Sequence, residues 1–206
     1  MTTPLYAVQQ IRRLRGGSQA QLLRASDGSY YVTKSAQNPQ HVRVLANEML
    51  ATRLGPLLGL PVPRVEPIEV SKWLIEHARE LRIELAGTTA SWKPGIHLAS
   101  LYADDPAESQ VFDYLPEALM DSVHNLADFG RVLVLDRRAC NCDGRQAVFS
   151  RRGKRGYFAT FIDQGYCVEF SGFSLARGLC PKLRLPECNK LGRVRAGTQP
   201  GLADRH

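Results

Sequence analysis

Apolar and polar positions along the first eighty residues alternate in two ways. Arg15-Gly16-Gly17-Ser18 has no apolar member and reads as a flexible loop, followed by Gln19 to Arg24 with Leu22 and Leu23 as a strand. Ser26-Asp27-Gly28-Ser29 is a turn, because Asp-Gly supplies the positive φ angles that a two-residue hairpin requires. Tyr30 to Lys34 returns as a strand of aromatic and β-branched residues with Lys34 near its end. From Pro39 or Gln40 to Leu54 the period lengthens. Val42, Leu45, Ala46, Met49, Leu50 and Leu54 form one apolar helix face, with Glu48 inside the helix and Gly55-Pro56 to stop it. Gly59 to Pro63 is a connector, Val65 to Val70 a strand, and the alternation in Leu81 to Leu85 predicts another. The expectation is a lobe of four or five strands and one helix.

Residues 87–110 read as loop-rich, with Gly87, Pro94, Gly95 and Pro106. Helical pattern returns at Pro116 to Val123 and at Leu126 to Arg138, where Phe129, Val132, Leu133 and Leu135 form the expected buried side. A hairpin follows: Gln146 to Phe149, a basic turn from Ser150 to Arg155, and Tyr157 to Ile162 running into Asp163-Gln164-Gly165. Residues 171–206 hold five Gly, three Pro and two Cys without sustained periodicity, which predicts a disordered basic tail.

Composition narrows this picture. A chain of 206 residues with 44% apolar and 23% charged residues folds as one domain or two lobes and is not wholly disordered. No apolar run reaches the roughly 18–20 residues of a membrane span, the N-terminus lacks a signal-peptide pattern, and five cysteines do not make a secreted disulfide framework. A soluble cytoplasmic protein is expected, with no membrane partner. The net charge of +7 is mostly tail: residues 171–206 carry seven Lys and Arg against Glu187 and Asp204, leaving +2 for the rest. The tail and the cluster Arg151 to Arg155 leave a basic nucleic-acid-binding protein as an alternative; nucleic acid is not the expected partner, and binding with a steep salt dependence would be its signature. Cys140-x-Cys142 lacks the second pair that a structural zinc site needs.

The candidate chemistry is phosphoryl transfer, in which positioning and charge neutralisation do most of the catalysis. It calls for a Gly-rich loop, a strand Lys, a helix Glu to hold that Lys, a loop Asp beside the nucleophile, and polar metal ligands. The chain offers them in this order: Gly16, Gly17 and Ser18, then Lys34, Glu48, Asp143, Gln146 and Asp163. Asp163 carries the strongest signal. It leaves the apolar run Phe158 to Ile162 just before Gln164-Gly165, where a carboxylate is costly without a counter-charge such as a metal.

Arg15 to Val70, with its loop, strand, Asp-Gly turn, strand Lys, helix Asn47-Glu48 and Leu60-Pro61-Val62-Pro63, resembles the N-terminal lobe of HipA-like kinases. Leu135-Asp136, Cys140 to Ala147 and Phe161 to Gly165 resemble their catalytic and metal-binding loops, similar to those of phosphoinositide kinases. The resemblance spans about residues 10–168. It implies an α+β, two-lobed protein-kinase-like fold, with a small antiparallel-sheet N-lobe with one helix over residues 10–86, a mainly helical but incomplete C-lobe over 87–170, and the tail over 171–206. It further implies ATP and Mg²⁺ in the cleft. Gly16, Gly17 and Ser18 would cover the phosphates, Lys34 would contact them and pair with Glu48, Asp143 would serve as catalytic base, and Gln146 and Asp163 would ligate the metal. Ile83 to Leu85 would lie near the adenine hinge. The implied activity is transfer of the ATP γ-phosphoryl to a hydroxyl, with Ser or Thr of a protein substrate as the expected acceptor.

Two departures qualify it. Gln146 stands where the family carries Asn, and its extra methylene moves the amide oxygen by about one bond length, whereas Mg²⁺ demands near-ideal octahedral ligands at about 2.0–2.1 Å. This raises the alternative of a catalytically impaired, nucleotide-binding interaction module. In addition, only 43 residues follow Asp163, so a truncated or frame-shifted C-lobe is expected.

Overall fold

The computed structural model describes residues 4–85, 87–106, 109–141, 143–153 and 156–167. The tail expectation for 171–206 and the tip of the basic turn, Lys154-Arg155, lie outside them. Among the described residues no helix is long and apolar enough to cross a membrane.

The fold class is α+β, and its first lobe is built on a five-stranded antiparallel sheet. The strands are β1 (Ala7–Arg13), β2 (Gln21–Ala25), β3 (Tyr30–Lys34), β4 (Val65–Val70) and β7 (Gly95–Leu101), in the order β1-β2-β3-β7-β4. The Asp27-Gly28 turn joins β2 to β3, with Gly28 at φ 82°. Three of these features correct the sequence reading. β1 was not anticipated; it is an edge strand with two register irregularities and mostly exposed side chains, so it carries no clean alternation. Within 87–110, expected as loop, lie β6 (Thr88–Ser91) and the sheet's inner strand β7. β7 runs Gly-Ile-His-Leu-Ala-Ser-Leu, with His97, Leu98 and Ala99 buried in succession, so neither the period-2 signature nor a polar face marks it. The short helix α2 (Lys72–His77) was also missed; it is capped by Ser71, whose side chain accepts from Leu74 N–H.

One sheet face packs Tyr31, Ile68, Val70 and Ala99 against Leu74 of α2 and against Leu81, Ile83 and Trp92, which flank or belong to the separate ribbon β5 (Arg82–Leu85) and β6. Ile83 to Leu85, expected beside the adenine hinge, are therefore part of that ribbon. The strand that borders β3 and leads towards the second lobe is β7. The opposite sheet face receives α1 (Val42–Leu54) through Leu45 and Met49 against Val65 and Leu98. The buried side of α1 is Val44, Leu45, Glu48, Ala51 and Thr52. The apolar face predicted from periodicity is largely turned outward, with Val42 and Leu50 at 55% and 50% exposure.

The second lobe sets α3 (Asp128–Arg138) against a three-stranded sheet of β8 (Val111–Phe112), β9 (Gln146–Arg152) and β10 (Gly156–Ile162). Val132, Leu135, Ala147, Phe149, Ala159 and Phe161 make its core. Leu133, expected inside, is half exposed, and the 116–123 segment forms a 3₁₀ turn over Glu117–Ser122. Leu60 and Val62, from the connector after α1, pack into this second core. Phe161 N–H donates to the Pro61 carbonyl at 2.8 Å. The connector therefore docks β10, and the residue that follows it, against the first lobe.

Candidate functional site

β3 delivers Lys34 to the sheet face that α1 covers, where the residue is 6% exposed. Its ammonium donates to Glu48 Oε2 at 2.6 Å and to Asp163 Oδ1 at 3.0 Å. Glu48 lies 14 residues from Lys34 in sequence and Asp163 lies 129 residues away, so the contact joins the two lobes. Gln146, at the start of β9, donates from Nε2 to Asp163 Oδ2 at 3.3 Å. Four of the residues singled out from sequence thus form one connected group.

Burial opposes the charge on Lys34, but Glu48 and Asp163 outweigh it and hold the ammonium above its ordinary pKa. Burial pushes the Glu48 carboxyl up, the nearby Asp163 charge adds to this, and Lys34 works against both. Two carboxylates facing one ammonium leave a negative charge uncompensated. Asp163, with its side chain 27% exposed, is the solvent-facing member.

The Asp163 turn is held in place by close approach. Asp163 has φ 58°, the left-handed region that Asp and Asn tolerate better than other side chains. Gln164 is fully buried and receives a hydrogen bond from Thr52 Oγ1 of α1 at 3.4 Å. Gly165 lies so near α1 that an added Cβ would clash with Val44 Cγ1 and come within 3.3 Å of the Val44 carbonyl. Gly165→Ala is therefore expected to push the 163–165 segment off α1 and cost about 1–3 kcal/mol. Urea unfolding would measure this loss.

A second network, which sequence reasoning did not assign, braces the loop that carries Asp143. Arg145 forks onto Asp136, at the end of α3, through Nη2 to Oδ1 and Nε to Oδ2. Its Nη1 donates to the Ile162 carbonyl at 3.2 Å, directly before Asp163. Asp136 Oδ1 also receives Asn141 Nδ2 at 3.0 Å, and Asn141 Oδ1 accepts from Asp143 N–H at 3.1 Å. Asp143 itself is exposed, with its carboxylate accepting from Gly144 N–H. It stands at the loop tip and outside the Lys34 group. The only trace of this brace in the sequence was the Asp136, Asn141 and Arg145 spacing within the loop motif.

Gly16, Gly17 and Ser18 occupy the β1–β2 connection. Gln21 pairs with Thr33, so antiparallel register places this connection at the same sheet end as Lys34. Gly16 has φ 132°, and a Cβ on Gly17 would meet Gln40 Nε2 at 3.0 Å, just ahead of α1. The loop therefore approaches the N-terminal end of the helix that carries Glu48. An open depression of about 490 Å³, lined by Arg13, Arg79, Glu80, Arg82, Glu84 and Thr89, includes none of the Lys34 group.

Residues 8–99 match the family model described as HipA-like kinase. No curated protein matches the chain. Among solved structures, the Golgi casein kinase with Mn/ADP bound aligns at a TM-score of 0.47 and 11% identity, covering 81% of this chain and 55% of that one. A second structure of the Golgi casein kinase aligns with the same TM-score and coverage at 10% identity. The chain thus spans about half the length of the structures it matches.

Proposed function

Starting from a chain whose residues 8–99 match HipA-like kinases, we propose that it is a kinase-like phosphotransferase that moves the γ-phosphoryl of ATP to a hydroxyl, with Ser or Thr of a protein as acceptor. The observation that carries this reading is the buried Lys34 ammonium, held between Glu48 of α1 and Asp163 of the second lobe. The excess negative charge of that group suits a hard cation on Asp163. Among the described residues no three His, Cys, Asp or Glu side chains converge, so the protein would provide Asp163 and an amide, leaving positions for phosphate and water oxygens.

Bound ATP with Mg²⁺ would supply the transferable phosphoryl group and neutralise its charge. Lys34 has three N–H donors and spends two on carboxylates, which leaves one for a phosphate oxygen. Glu48 fixes the ammonium from within the lobe. Backbone N–H groups of Gly16, Gly17 and Ser18 cover the phosphate side. Asp143 orients the acceptor hydroxyl and takes its proton, and Arg145 keeps that loop in register with Asp163.

A second reading, nucleotide binding with poor transfer, is favoured by Gln146, which meets Asp163 through its amide nitrogen instead of its oxygen. Incubation with γ-labelled ATP and Mg²⁺ separates the two. The expected result is slow labelling of a protein hydroxyl that is lost in Asp143→Asn and Asp163→Asn and accelerated in Gln146→Asn. ATP binding without labelling in the unaltered chain and in Gln146→Asn would establish the second reading, and absence of ATP binding would overturn both.

A further inference from the structure

Gln19 lies immediately after Gly16, Gly17 and Ser18 and adopts φ 49°, a left-handed conformation uncommon for Gln. Its side chain is engaged on every polar atom. Nε2 donates to the Glu84 carbonyl at 2.7 Å, and Oε1 accepts from Glu84 N–H at 2.7 Å, so the amide pairs with the ribbon backbone as a neighbouring strand would. Oε1 also accepts from Arg13 Nη2 at 3.0 Å, and Arg13 Nη1 closes the group on Glu84 Oε1 at 2.7 Å. The ribbon is a firm anchor, because Ile83 is 1% exposed within the main core and Trp92 N–H bonds to the Leu81 carbonyl.

We infer that Gln19 is a positioning residue, tying the Gly16-Gly17-Ser18 loop to the β5–β6 ribbon so that the loop is ordered before a nucleotide's phosphates arrive. This rests on the nucleotide site proposed above. Two adjacent glycines give the loop a large conformational space, and ordering it during binding would weaken affinity. The amide fork removes that freedom in advance without Gln19 touching the phosphates. The consequence is selective: affinity gained through the outer phosphates depends on Gln19, whereas affinity gained through the nucleoside does not.

The test uses the full chain with AMP and Mg·ATP as probes, by titration calorimetry. Gln19→Gly keeps the left-handed backbone open and removes the fork. It is expected to weaken Mg·ATP binding by about tenfold with AMP affinity unchanged, so the ratio of the two dissociation constants contracts. Gln19→Glu keeps the acceptor but cannot donate to the Glu84 carbonyl, and it is expected to contract the ratio as well. An unchanged ratio in both variants, or equal weakening of both nucleotides, overturns the inference while the nucleotide site stands. No nucleotide binding by the unaltered chain overturns the site and the inference together.

Discussion

Lys34→Ala is expected to destabilise the protein by about 3–5 kcal/mol, because it strips the counter-charge from the carboxylate of Glu48, which the fold has already buried. Glu48 is 4% exposed and would face Asp163 across the vacated space. Its carboxyl already sits above its ordinary pKa, first through burial. A group with a raised folded pKa supports folding fully below its unfolded pKa and loses that support as pH rises through the folded one. Without Lys34 the Glu48 pKa climbs further, so the variant's deficit is expected to shrink as pH falls from neutrality into the carboxylate range. The intact Lys34 is also raised; its contribution persists below the ordinary lysine range and fades only on the alkaline side. Urea titrations of both proteins at several pH values measure these slopes. Lys34→Met combined with Glu48→Gln is expected to recover most of the stability, since neutral groups replace the buried pair, while nucleotide affinity stays lost.

Arg145→Met is expected to have the next largest effect, about 3 kcal/mol in stability together with loss of the proposed phosphotransfer. The Arg145 and Asp136 side chains are only 9% and 14% exposed, and the carboxylate would keep the Asn141 amide but lose its counter-charge. Losing the fork frees both the loop that carries Asp143 and the Ile162 carbonyl ahead of Asp163. Arg145→Lys restores a charge but cannot donate to Asp136 and Ile162 in the same planar arrangement. It is expected to recover part of the stability and little of the transfer. Denaturant unfolding and γ-phosphoryl labelling on the same samples check both parts.

Local grammar made part of this molecule readable. The Asp27-Gly28 turn, the β-branched and aromatic run of β3 and the 146–162 hairpin are each specified within a few residues. Helix α1 was readable in extent but not in facing. Its inner side holds Glu48 and Thr52, which bond Lys34 and Gln164, while Val42 and Leu50 point outward. Polar residues under a helix displace its apolar stripe, so periodicity found Leu45 and Met49 but also placed the exposed Val42 and Leu50 inside. β7 escaped because a strand with consecutive buried residues around a histidine has no alternation; His97 is satisfied by Ala36 N–H and the Lys93 carbonyl, not by solvent. The Lys34, Glu48 and Asp163 grouping came from residue order and family resemblance. The Arg145 brace on Asp136 and the Ile162 carbonyl, and the Gln19 fork on the Glu84 backbone, are tertiary bonds that leave no periodic trace in a single sequence.

Thermal unfolding with and without millimolar Mg·ATP tests most directly whether Lys34, Glu48 and Asp163 form the proposed nucleotide and metal site. A ligand at about 100 times its dissociation constant adds roughly 2.7 kcal/mol, several degrees for a chain of this size. Asp163→Asn is the informative control, because Asn also accepts the left-handed backbone at this position. The melting temperature of the intact protein is expected to rise, and Asp163→Asn to abolish that rise without a large change in its own melting temperature. A cooperative transition that Mg·ATP leaves unmoved in the intact protein would contradict a nucleotide site at these residues.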